Sequence, residues 1–158
     1  MKKGYTLLET LIYVTILAVV AIIVVGSILT LYQAFIRNRI ERKLSYSGDA
    51  AIETLVREIR AASSTNPATS AFASHPGILD LSKGTVFSLS GTDLRVSYEG
   101  AAAENLTSSG VRTTNLIFYR NATTSSEIIK IEITLEAGEG RYTKSKNFFG
   151  SAVLRENY

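Results

Sequence analysis

Apolar residues along this chain change their spacing twice. The first stretch, residues 4–36, reads GYTLLETLIYVTILAVVAIIVVGSILTLYQAFI, and residues 10–36 carry no charge. At about 1.5 Å of rise per residue the uncharged part covers roughly 40 Å as a helix, more than the hydrocarbon thickness of a bilayer. A surface helix of a soluble domain buries only one stripe of itself. The pattern therefore predicts a helix whose whole circumference meets an apolar medium.

From Ile40 the apolar residues narrow to a stripe. Ile40, Leu44, Gly48, Ala51, Leu55, Ile59 and Ala62 recur at helical spacing, widened by Ile52 and Val56, which is the face of a helix laid against a sheet. Arg42, Lys43, Asp49, Glu53, Arg57 and Glu58 lie off the stripe, and Glu53 is spaced for an i,i+4 pair with Arg57. The stripe lasts only about three heptads and no second long helix follows, which argues against a freestanding coiled coil. Turn formers Ser63 to Asn66, with Pro67 behind them, should stop the helix over 63–66 because proline cannot continue it.

Beyond a polar connector at 65–77 the period becomes two. Strands are predicted over 85–89 and 93–98, joined by Ser90-Gly91-Thr92, then over 115–119, 128–135 and 142–154. In the fourth of these Ile129, Ile131, Ile133 and Leu135 share one face. Residues 99–110 and 136–141 read as loops. The expected fold class is α+β: a long N-terminal helix, half transmembrane and half amphipathic, packed on a small antiparallel sheet.

Length and charge refine this picture. With 158 residues, some of them spent on the apolar segment, the chain has room for one modest extramembrane domain. The basic pI of 9.2 does not point to nucleic acid, because the basic residues form no stripe with interleaved aromatics. With no cysteine, disulfides, thiol catalysis and thiolate metal sites are excluded. A secretory signal has an apolar region of only about 7–15 residues before its cleavage site, and this run is far longer. A plain membrane anchor accounts for the hydropathy but not for Glu9, a carboxylate at the start of the run with no basic residue within a turn on its C-terminal side. Its position in the first helical turn, favourable to the helix dipole, explains the carboxylate only in part.

Lys2-Lys3-Gly4-Tyr5-Thr6-Leu7-Leu8-Glu9 resembles the processing site of type IV pilins and pseudopilins. The resemblance implies cleavage by a prepilin peptidase between Gly4 and Tyr5, N-methylation of Tyr5, and an assembly role for Glu9, whose carboxylate would pair with the N-terminal amine of a neighbouring subunit. It also implies a division into a leader (1–4), a membrane and filament-core helix (5–36), an amphipathic helix (37–64) and a C-terminal sheet domain (65–158). The partners it implies are other pilin-like subunits, the peptidase, an inner-membrane assembly platform and the lipid bilayer, with no cofactor and no nucleic acid. The N-terminus would be cytoplasmic and the C-terminal domain extracytoplasmic. Removing Lys2 and Lys3 with the leader leaves 15 basic residues against 14 acidic ones.

Tyr5 stands where the family usually has Phe or Met. Major pilins commonly carry a proline within this helix, whereas here Gly26 occupies the corresponding place and no proline precedes Pro67. Glycine costs about 1 kcal/mol against alanine in a helix interior, which makes Gly26 a candidate point of helix flexibility. Segments 106–111, 115–118, 129–135 and 152–155 look like minor pseudopilins, particularly the J-type component of type II secretion, or related competence or minor pilins. The flanking charges argue the other way on orientation: Arg37, Arg39, Arg42 and Lys43 follow the helix and only Lys2 and Lys3 precede it, so a basic-residue count would put the C-terminal side in the cytoplasm.

Among other candidates, His75 is a lone histidine in the connector and reads as a solvated loop residue. Glu136-Ala137-Gly138-Glu139-Gly140 reads as a turn, since calcium needs six or more oxygens. No phosphate loop, nucleophile elbow or paired metal ligands point to an enzyme. Two functions remain: a structural subunit, minor or at the tip, of a pilus or secretion pseudopilus, and an anchored extracytoplasmic binding module that does not assemble.

Overall fold

Residues 6–123 and 126–154 are described by a computed structural model. The chain divides into two compact units, Met1–Arg39 and Ile40–Tyr158. One unbroken α-helix, α1 (Leu7–Ala61), supplies the described part of the first unit and opens the second. It is long and apolar enough to cross a membrane. No large apolar side chain from Leu7 to Phe35 is less than 48% exposed. So large an uncovered apolar surface requires lipid or other chains around it.

In the second unit the expected stripe faces inward. Leu44, Gly48, Ala51, Leu55 and Ile59 are buried, and Ile40, Ile52 and Val56 pack at its margin. Two polar residues join it. The Ser47 hydroxyl accepts the Ser108 backbone N–H at 2.9 Å. Glu58, expected outside the stripe, is buried and pairs with Lys83 at 2.5 Å. Arg57 turns its Nε toward Glu58, 3.5 Å away, and the expected pair with Glu53 does not form. The helix ends at Ala61, short of the predicted 63–66 stop. The last turn tightens, with Ala62 N–H donating to the Ile59 carbonyl, and Ser64 exchanges hydrogen bonds with Ser82, drawing the chain off the helical path before proline is reached.

The strands are β1 (Leu79–Asp80), β2 (Thr85–Ser90), β3 (Asp93–Tyr98), β4 (Glu104–Asn105), β5 (Val111–Ala122), β6 (Glu127–Ala137) and β7 (Lys144–Val153). Where the sequence predicts one sheet there are two, antiparallel throughout, ordered β1-β2-β3-β4 and β5-β6-β7. The β2–β3 hairpin turns over two residues, with Gly91 at φ +63°. A positive φ at the first turn position alone matches the II′ geometry suited to strand twist. The sheets do not merge because the connector lies along the free edge of β5. Ala73 N–H donates to the Phe118 carbonyl at 2.8 Å, Gly77 N–H to the Leu116 carbonyl at 2.9 Å, and Leu116 N–H to His75 Nδ1 at 3.1 Å. An edge covered in this way cannot accept another strand.

Both sheets share one core with residues 40–62. Ile129, Ile131, Ile133 and Leu135 of β6 are all buried, beside Leu116 and Phe118 of β5 and Phe87, Leu94 and Val96 of the first sheet. Strand β7 runs along the helix. Lys144 pairs with Glu41 at 2.7 Å, Lys146 Nζ donates to Ser45 Oγ at 2.9 Å, the Phe148 ring covers Gly48, and Gly150 lies against Ile52. The spacings agree physically, since two strand residues advance about 6.6 Å and three or four helical residues about 4.5–6 Å.

Glu127 at the start of β6 ties helix end to sheet. Its carboxylate accepts hydrogen bonds from the Thr65 hydroxyl and from Arg120 Nε, the latter at 2.5 Å. Burial pushes the Glu127 carboxyl up, but the Thr65 and Arg120 hydrogen bonds outweigh it and hold the group below its ordinary value. A folded-state value lower than the unfolded one stabilises the fold above the unfolded carboxylate range, and this contribution is lost as pH falls through the folded value. Glu127→Gln is expected to lower stability at neutral pH by about 1–2 kcal/mol and to flatten the acid limb of the profile. Thermal unfolding midpoints of both proteins between pH 7 and pH 3 measure this, and parallel curves would contradict it.

Candidate N-terminal processing and assembly site

Gly4 and Tyr5 lie outside the described residues, which begin at Thr6. From there the geometry is that of a capped helix. Thr6 Oγ1 accepts the Glu9 backbone N–H at 3.3 Å, and the Thr6 carbonyl accepts the N–H groups of Glu9 and Thr10 at 3.0 and 3.2 Å. Thr-x-x-Glu is the spacing of a capping box, a signal that the sequence carries and that the charge of Glu9 overshadows. The side chain of Glu9 makes a different bond: Tyr13, one turn on, donates its hydroxyl to Glu9 Oε1 at 3.3 Å. Glu9 is half-buried, with no cation paired to it among the described residues. An unneutralised carboxylate at the head of an apolar helix is costly in lipid, and an ammonium from outside the described chain would satisfy it.

Further along, the serine and threonine hydroxyls between residues 10 and 30 are satisfied by helix carbonyls one turn back. Thr10 donates to the Leu7 carbonyl, Thr15 to Leu11, Ser27 to Ile23 and Thr30 to Gly26, at 2.7–2.9 Å. The lipid-facing surface therefore presents no unmet hydroxyl donor from these four residues, as an apolar solvent demands. Gly26 has nothing within 4 Å of where a Cβ would stand, and its carbonyl is shared with the Thr30 hydroxyl. Such back-bonding competes with the helical hydrogen bond and favours bending.

The remaining sequence candidates belong to the second unit. His75 is exposed, with Nδ1 committed to the Leu116 N–H. Glu136 is held by Arg112 at 2.6 Å. Among the described residues no group of three or more His, Cys, Asp or Glu could hold a metal ion.

Residues 1–30 match the family described as the prokaryotic N-terminal methylation motif. The chain carries a type IV pilin-like N-terminus. No curated protein and no solved structure matches it. The match covers the capped start of α1, Glu9, Tyr13 and Gly26, while the two sheets lie outside it. The pilin-like motif goes with a structural rather than a catalytic role, with processing by a prepilin peptidase and with other pilin-like subunits as partners. Its apolar helix fits a membrane-anchored pilin-like protein.

Proposed function

We propose that this chain is a structural subunit, minor or at the tip, of a type IV pilus or a type II secretion pseudopilus. It is inserted with its N-terminus in the cytoplasm and its C-terminal domain outside, cut between Gly4 and Tyr5, N-methylated on Tyr5, and moved from the membrane into a filament by an inner-membrane assembly platform. The observation that carries this reading is the methylation motif over residues 1–30 on a helix whose apolar residues are uncovered all round. In the membrane lipid meets those residues; in a filament the helices of other subunits would replace it, through close packing of apolar side chains. Glu9 would then meet the methylated amine of a neighbour, a charge-assisted contact that removes two stranded charges together. Gly26, with its carbonyl shared, is the proposed soft point that lets the helix adjust on leaving the bilayer. The absence of a helix proline supports a minor rather than a shaft subunit.

N-terminal mass analysis of the protein extracted from cells that contain the peptidase tests the proposal. The expected N-terminus is methylated Tyr5. An intact Met1 in those cells would refute it.

A further inference from the structure

We infer that the outer edge of β7 is a docking site for an extended, acidic segment of another protein, which joins the sheet β5-β6-β7 as a fourth strand. This goes beyond the proposed function and holds whether the chain enters a filament or stays in the membrane. The Leu154 N–H donates to the Glu127 carbonyl, and Val153 stands opposite Ile128. Hydrogen-bonded and non-bonded pairs alternate along an antiparallel ladder, so the even-numbered residues of β7 exchange bonds with β6. The N–H and C=O groups of Ser145, Asn147, Phe149, Ser151 and Val153 then point away from β6. Among the described residues none of these groups takes a hydrogen bond. The opposite edge of the sheet, on β5, is closed by the connector at residues 73–77. Natural edges of such length are blunted by charged residues or proline, and residues 147–153, NFFGSAV, contain neither. The two lysines of β7, Lys144 and Lys146, are turned onto the helix, where they meet Glu41 and Ser45.

The surface around this edge defines the chemistry of the occupant. On the outer face of the sheet Phe149 is 59% exposed, and Val153 and its neighbour Ile128 are 50% and 40% exposed. An incoming strand with apolar side chains at alternate positions would cover them, because neighbours on one face stabilise a sheet. Where β7 ends, a groove of about 580 Å³ lies between Ile128, Ser151 and Val153 and the last turns of α1, which contribute Arg57 and Arg60. Both arginines are exposed. Arg57 stands 3.5 Å from Glu58, but Lys83 holds that carboxylate at 2.5 Å, and Arg60 has no ion pair among the described residues. Guanidinium groups beside a strand edge suit a partner that brings carboxylates, through charge-assisted and bidentate hydrogen bonds. An antiparallel strand, the more stable pairing, would begin beside Val153, so its acidic residues lie at its N-terminal end. A second copy of β7 fits poorly. Joining two such edges antiparallel would set Arg57 and Arg60 of one copy toward Lys146 of the other, which has no carboxylate partner among the described residues. One open edge takes one strand, so the contact ends there and suits a subunit that is minor or at a tip.

A ten-residue synthetic peptide, two glutamates followed by alternating valine and threonine, tests this on the full chain in detergent. Fluorescence anisotropy is expected to show it binding at least tenfold more tightly than the same peptide with lysines in place of the glutamates. Arg57→Glu with Arg60→Glu should invert that order. Hydrogen exchange read residue by residue should slow on binding at Phe149, Ser151 and Val153, whereas Phe148, Gly150 and Ala152 are protected by β6 beforehand. Ser151→Pro removes an N–H that the fold does not use, a position where an edge strand tolerates proline. It should leave the unfolding midpoint unchanged and weaken the peptide tenfold or more. Should that variant unfold, the alternation of exchange in the parent protein decides alone. Equal binding of the two peptides, no binding at millimolar peptide, or full binding by folded Ser151→Pro overturns the inference. So does slow exchange at the three odd-numbered amides before peptide is added, since the edge is then already covered by the chain itself or by a second copy.

Discussion

Gly48→Ala is expected to destabilise the folded second unit by about 2 kcal/mol, although alanine is the better helix former. In a solvent-exposed helix the exchange would stabilise by roughly 1 kcal/mol. Here the helix meets β7 at this point, and a Cβ on Gly48 would clash with the tip of the Phe148 ring, far inside van der Waals contact. Phe148 has little freedom to yield. It is buried, its strand is paired residue by residue with β6 from Ala137↔Lys144 to Ile128↔Val153, and the flanking contacts Lys146–Ser45 and Gly150–Ile52 fix strand against helix on either side. Overpacking a fixed contact of this kind costs about 1–3 kcal/mol and exceeds the propensity gain. Thermal unfolding of the detergent-solubilised protein, followed through the sheet signal, measures the change. Phe148→Leu costs stability alone but should cost less in the Gly48→Ala background, since the smaller side chain leaves room for the new methyl. A double-mutant cycle showing the two effects to be additive would place the glycine's role elsewhere.

Gly48 also marks the boundary of what local sequence encodes about this fold. Its place in the stripe from Ile40 to Ala62 is legible, as is the inward face of Ile129, Ile131, Ile133 and Leu135, because burial of one face imposes a period that local sequence carries. The reason for a glycine in the stripe is not legible, since Phe148 lies a hundred residues away and only the β6–β7 register brings it there. Glu58 and Ser47 escape a reading of the pattern for the same kind of reason. Polar residues at buried positions look like surface residues until their partners, Lys83 and the Ser108 N–H, are known. The division into two sheets depends on hydrogen bonds between residues 73–77 and β5, two of them backbone to backbone and one to the His75 side chain, which leave no periodic trace. The N-terminal site is the reverse case. Gly4 and Tyr5 are read from sequence alone, whereas the structure adds what charge and hydropathy do not suggest: the Thr6 cap and the Tyr13 hydroxyl on Glu9.

Those two contacts sharpen what Glu9→Ala should do. The Thr6 cap uses the backbone N–H of residue 9, so alanine keeps it, and the lost helix-dipole interaction amounts to about 0.3–1 kcal/mol. Insertion should not suffer, because removing a carboxylate lowers the cost of entering lipid. If Glu9 meets a neighbour's N-terminal ammonium, however, its loss leaves that charge buried without a partner, a penalty of about 2–5 kcal/mol. At roughly 1.4 kcal/mol per factor of ten, incorporation into filaments is expected to fall at least about thirtyfold while membrane level and processing stay near normal. Glu9→Gln separates charge from shape. It preserves side-chain length and can still accept the Tyr13 hydroxyl, so a role in capping or in the Glu9–Tyr13 contact predicts near-normal assembly, whereas charge pairing predicts a defect close to that of alanine. Quantifying each variant in sheared filaments against its membrane pool distinguishes the two. Normal assembly of the glutamine variant would show that Glu9 acts without its charge, and normal assembly of both would favour an anchored module in which the carboxylate serves only the start of the helix.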